Sequence, residues 1–144
     1  MYYYHTLTQI AWNSALLAVT AFSLWKGGRP ERIFAVAGFI ASALTPLMPE
    51  SPIAVDPKWG TLLIDGSLFL LLLGLAIWTD RTWLLFAAAF QLLQVVTHAA
   101  IMADSVIGTR AFMSGLIIWS YMVLLSQAVG TWFYWRERRL LTQS

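Results

Sequence analysis

Apolar runs of sixteen to twenty-four residues, separated by short polar, basic or proline-rich breaks, set the pattern of this chain. About twenty residues at 1.5 Å each cross the roughly 30 Å of a bilayer's hydrocarbon. On that measure the runs place membrane helices at 6–25, 32–48, 60–78, 82–103 and 111–134. The second is the shortest: it offers 16 residues from Ile33 to Met48, and Pro46 and Pro49 close it. Tilt, local thinning or a re-entrant path would accommodate it, so a four-crossing arrangement stands beside the five-crossing one. Either way the expected fold is all-α, one polytopic bundle over residues 1–144.

The breaks hold roughly six, eleven, three and seven residues. Connections that short place sequential helices antiparallel and adjacent, and leave no room for a domain outside the membrane. No internal repeat is visible. The N-terminal MYYYHTLTQ has neither a basic n-region nor a cleavage site after the first run, so that run is expected to remain as a helix. Small residues at Ala37, Gly38, Ala41, Ser42, Gly66 and Gly74 suggest close-packing ridges. Leu68–Leu73 makes the third helix apolar all round, with one face expected to meet lipid or a partner.

Composition agrees with the pattern. Hydrophobic residues are 59% and charged residues 11% of the chain, against about 25% charged in a soluble domain. The net charge of +2 does not indicate a nucleic-acid partner, because the nine Lys and Arg residues lie in clusters between apolar runs. Seven of them fall at Lys26, Arg29, Arg32, Arg81, Arg136, Arg138 and Arg139, on one side of a five-crossing bundle. The positive-inside rule then puts the N-terminus outside and the C-terminus in the cytoplasm, as for a bacterial inner-membrane protein with a periplasmic N-terminus. Trp25, Trp78, Trp83, Trp132 and Trp135 fall at the inner interface in that reading, and Trp59 at the outer one. With no cysteine there is no disulfide, thiolate ligand or thiol nucleophile.

The candidate chemistry is confined to polar groups inside the apolar runs. An Asp at a helix centre costs about 2.5–3.5 kcal/mol on insertion scales, so such groups face protein or water and are seldom idle. Gln91, Gln94 and His98, at i, i+3 and i+7, fall within about 60° on a wheel of 100° per residue. The first helix carries His5, Gln9, Asn13, Thr20 and Ser23 on a comparable face, and the fifth Ser120, Gln127 and Thr131. Asp65 and His98 each lie about five residues from the outer ends of helices joined by the shortest break, hence at one depth of roughly 7–8 Å. The expected intramembrane site is Asp65, His98, Gln94, Gln91, Asn13 and Gln9, with Asp65 reaching His98 directly, through Asn13 or through one water. Such a pair either pins helices or binds a ligand or a proton.

Other chemistry has less behind it. Bis-histidine haem ligation needs both His5 and His98, and His5 sits at or above the outer interface. Glu50, Asp56 and Asp104 are isolated loop acids that could meet as a hard-cation site, and Tyr2, Tyr3 and Tyr4 read as an interfacial belt. The membrane serines Ser114, Ser120 and Ser126 lie in a different helix from His98, and no hydrolase motif occurs, so the chain is expected not to be an enzyme. It reads first as an accessory or assembly subunit of a larger energy-transducing or transport complex, with lipid and other membrane subunits or its own copies as partners. A small oligomeric proton-linked transporter using Asp65 and His98 is the alternative, and a haem- or quinone-binding redox protein a further one. No cofactor is specified by the residues.

Overall fold

The structure is a computed structural model describing residues 2–47, 59–103 and 109–143. Glu50, Asp56 and Asp104 lie outside the described residues, as do the side chains of Tyr2, Tyr3, Tyr4 and His5. The described chain is helical: α1 (Tyr2–Lys26), α2 (Arg29–Leu44) continued by a 3-10 turn (Thr45–Leu47), α3 (Trp59–Trp78), α4 (Thr82–Ala103) and α5 (Thr109–Leu141). Four of these, α1, α3, α4 and α5, are long and apolar enough to cross a membrane. That makes the chain an integral membrane protein. The fifth, α2, has 16 residues and falls short of that length on its own.

Local chemistry explains the ends. Gly27-Gly28 breaks α1 from α2, and α2 begins with Pro30 in its first turn, where a missing N–H costs nothing. At the other end the Thr45 hydroxyl donates to the Ala41 carbonyl at 2.8 Å, and the helix tightens into the 3-10 turn at Pro46. The α3–α4 connection is a tight turn in which the Arg81 amide donates to the Thr79 carbonyl at 2.8 Å. The largest departure from the expected ends is α5, which runs seven residues past 134 and carries Arg136, Arg138 and Arg139 on helix. At roughly 50 Å it is longer than the hydrocarbon is thick, so its basic end extends beyond the apolar layer.

The helices form a ring. Each packs on its chain neighbour, and α1 packs on α5 to close the circle; among the described residues the backbone of α1 does not come within 8 Å of that of α3 or α4. The core lies where α2, α3, α4 and α5 meet, built from Phe34, Leu72, Leu75, Trp83, Leu84, Ala87, Ala88 and Val123. Glycine packing differs from expectation. A Cβ added at Gly38, Gly66 or Gly74 would meet nothing within 4 Å, so these residues are not ridges inside the chain. The close approach is at Gly130, where a Cβ would overlap the Trp83 ring, and at Gly27 and Gly28 beside Glu31. Trp83, expected as an interfacial anchor, is instead buried in the core.

Candidate functional site

Asp65 projects from α3 into the face of α4 that carries Gln91, Gln94 and His98. The stripe can converge on one carboxylate because positions i, i+3 and i+7 stack along a single side of the helix. Gln91 Nε2 donates to both the backbone carbonyl and Oδ1 of Asp65, each at 3.3 Å, and Gln94 Nε2 donates to Oδ1 at 3.3 Å. The other carboxylate oxygen, Oδ2, lies 3.0 Å from His98 Nε2. That is ion-pair distance, but the approach misses the line of an N–H···O bond, and both atoms are buried without another partner. Ser120 on α5 extends the network, its hydroxyl 3.3 Å from Gln94 Oε1 and 2.8 Å from the Leu116 carbonyl. Phe112 meets the imidazole edge-on at 5.4 Å and closes it off from the side.

The site therefore comes from α3, α4 and α5, with α5 in the place expected for α1. Gln9 and Asn13 are exposed on α1, whose backbone among the described residues stays more than 8 Å from that of α3 and α4, and they take no part in the Asp65–His98 contact. The contact is direct and needs neither Asn13 nor a bridging water. Chemically it is an acid–base couple across one short gap, holding either carboxylate with imidazolium or carboxyl with imidazole. With side chains only 9% and 5% exposed, Asp65 and His98 see little solvent to screen that exchange.

A second polar cluster lies at the opposite end of the ring, where the basic residues gather. Gln127 Nε2 donates to Ser23 Oγ at 3.0 Å, and Ser23 Oγ is 3.0 Å from Thr131 Oγ1. Next to them Trp83 Nε1 donates to Glu31 Oε1 at 3.1 Å. Glu31 is completely buried, and its Oε2 has no hydrogen-bond partner. The carboxylate sits in the first turn of α2, where the unpaired helix amides favour a negative charge. Sequence reasoning missed this residue because it lies among three cations, Lys26, Arg29 and Arg32, in a segment that reads as a loop. The available signal was Gly-Gly-x-Pro-Glu, a break followed by the residue types a helix N-terminus prefers.

The two clusters are not continuous. Along α4, Ala88, Ala87 and Leu84 separate Gln91 from Trp83, and along α5, Val123 and Leu124 separate Ser120 from Gln127; all five are buried. That apolar layer is roughly 10–12 Å thick. Among the described residues no group of three or more His, Asp or Glu side chains stands together to hold a metal ion. Comparison with protein-family models, with curated proteins and with solved structures finds no match to this chain.

Proposed function

We propose that this is a non-enzymatic subunit that docks in the bilayer against a second membrane protein or a second copy of itself, in a bacterial inner membrane, with its basic end cytoplasmic and its N-terminus periplasmic. The observation that carries the proposal is the outer face of α3. Leu63, Gly66, Leu70, Gly74 and Ile77 fall on one strip of that helix, and Leu63, Leu70 and Ile77 are strongly exposed. Between them Gly66 and Gly74 open onto empty space. In a bilayer, apolar area alone does not drive helices together; small residues that admit a close backbone do. A strip of large side chains with two open notches has the shape that a partner helix fills. The polar clusters then hold the ring rigid behind the docking face.

A second reading is favoured by one detail, the Asp65 Oδ2 and His98 Nε2 atoms, which approach to 3.0 Å yet make no hydrogen bond. A small rotation of either side chain into line would let the pair pass a proton, which a proton-linked carrier requires. One set of variants separates the two readings. Because the chain has no cysteine, Leu63→Cys, Leu70→Cys and Ile77→Cys can be treated with a thiol cross-linker in native membranes, beside Leu125→Cys on α5 as an exposed control. The subunit reading expects cross-linked product from the three α3 positions and not from Leu125. It also expects Leu70→Arg to release the partner, while Asp65→Asn changes nothing. Equal product at all four positions, or none, would remove it. An Asp65→Asn protein that assembles normally yet abolishes a proton flux in liposomes would establish the carrier instead.

A further inference from the structure

The basic end of the ring carries seven Lys and Arg residues against three acids, Glu31, Asp80 and Glu137. One acid is buried on Trp83 and another, Glu137, is 3.5 Å from Arg81. The cations are therefore compensated unevenly. Arg81 and Arg138 flank Tyr134, at 4.8 and 5.9 Å from its ring, on the side where Glu137 sits. Lys26 and Arg139 meet elsewhere, around Trp135. Lys26 Nζ lies 4.2 Å from the Trp25 ring and 5.8 Å from the Trp135 ring, and Arg139 Cζ lies 4.2 Å from Trp135. Among the described residues neither cation has a carboxylate partner.

We infer that this Lys26–Trp135–Arg139 corner is a binding site for the headgroup phosphate of an anionic phospholipid. Two helices far apart in sequence bring an ammonium and a guanidinium to one indole. A phosphodiester between them would accept from both, the guanidinium offering the paired N–H geometry that phosphate oxygens take. The aromatic floor explains why the partner is a lipid and not a soluble phosphate. Trp132 packs against Trp135 with ring centres 5.3 Å apart, and Trp25, Trp132 and Leu24 are all exposed beside the cations. Indole rings of that kind sit at the headgroup level of a membrane, with one edge in hydrocarbon and the other in the polar layer. The acyl chains would lie along the seam of α1 and α5, which is the joint that closes the ring. Nothing in this inference depends on which docking partner the α3 face takes.

The test uses the full chain, purified in mild detergent and titrated with brominated phosphatidylglycerol or brominated phosphatidylcholine, with quenching of tryptophan fluorescence as the readout. Phosphatidylglycerol should quench at lower concentration than phosphatidylcholine. Lys26→Gln combined with Arg139→Gln should weaken the phosphatidylglycerol effect roughly thirtyfold, taking about 1 kcal/mol per basic group and a factor of ten per 1.4 kcal/mol. Arg136→Gln removes the same charge from the same exposed helix end outside the corner and should leave the effect intact; Arg139→Lys keeps the charge and should lose only part. Equal quenching by the two lipids, or an Arg136→Gln loss as large as that of Arg139→Gln, would reduce the corner to general surface charge and overturn the inference. Displacement of the lipid by inorganic phosphate or by an acidic peptide at concentrations where phosphatidylcholine has no effect would overturn it as well, by assigning the corner to a soluble anion or a protein.

Discussion

Replacing Gly130 by Ala adds one methyl group and should be among the most damaging small changes in the chain. The new Cβ would overlap the Trp83 ring, which is itself buried in the core and cannot give way within its rotamer. Forcing an extra methyl into a packed site costs about 1–3 kcal/mol. If the indole swings aside instead, Trp83 Nε1 leaves Glu31 Oε1, and the fully buried carboxylate loses its side-chain donor. A hydrogen bond to a charged group is worth about 1.5–3 kcal/mol. Against this, Ala is favoured over Gly inside a helix by about 0.8–1 kcal/mol. Either route leaves a net loss of up to about 2 kcal/mol, and at roughly 2–4 °C per kcal/mol for a chain near this size the midpoint should fall by up to about 8 °C. Gly38→Ala is the matched control, since its Cβ would meet nothing within 4 Å, and helix preference should leave it level with the parent or slightly above. Thermal unfolding in detergent, followed by size-exclusion recovery after heating, measures both. Trp83→Phe, which keeps an aromatic ring and removes the donor, reports how much of the loss belongs to the Glu31 bond. A Gly130→Ala protein that unfolds at or above the parent midpoint would refute the reasoning, because the ring and the glycine could not then be in contact.

Two further predictions follow from the polar site and from the short second helix. Asp65→Leu and His98→Leu should each cost about 3–5 kcal/mol by stranding a buried partner, and the double variant should be more stable than the sum of the two by more than 1 kcal/mol; additive midpoints in thermal unfolding would dissolve the pair. A reporter fused in the α1–α2 break at Gly28 and one fused at Pro52 should report opposite compartments if α2 crosses the membrane, and the same compartment if it does not.

What the sequence could reveal divides along a physical line. The Asp65–His98 approach was legible because it depends on rise per residue and on a short turn, both fixed by the chain itself. The face formed by Gln91, Gln94 and His98 was legible for the same reason. Gln9 and Asn13 were misplaced even though their helical face was chosen correctly, since Asn13, Thr20 and Ser23 do lie on one side of α1. A wheel reports direction and not whether a neighbour stands at that height. The pairs Ser23–Thr131 and Trp12–Tyr121 set the register of α1 on α5, which puts Gln9 level with Ile117 and Ile118, and these are exposed too. The seam is open there, so the amides stay exposed and outside the Asp65–His98 contact. Glycines failed for a related reason. Gly66 and Gly74 look like packing notches in any sequence, but only the ring order shows that their side of α3 points away from the rest of the chain.

Glu31 and the short second helix were misread together, and from one cause. Hydropathy counts a carboxylate between Arg29 and Arg32 as solvent-exposed loop, which starts the second span after Arg32 and makes it look too short. The structure starts α2 at Arg29 and buries Glu31 completely against Trp83. Counted from there, the helix contributes about 24 Å and the 3-10 turn through Leu47 about 6 Å more, together close to the roughly 30 Å of hydrocarbon. This length supports the five-crossing proposal, though α2 alone falls short of it. The same burial explains why a carboxylate can occupy that end of the helix. The carboxylate accepts from the indole N–H in the first turn of the helix, where a negative charge is favoured, while the flanking arginines remain exposed. A buried acid at a helix start thus gives the shortest helix of the ring a fixed point at its basic end, and the Thr45–Ala41 hydroxyl bond stabilises the other.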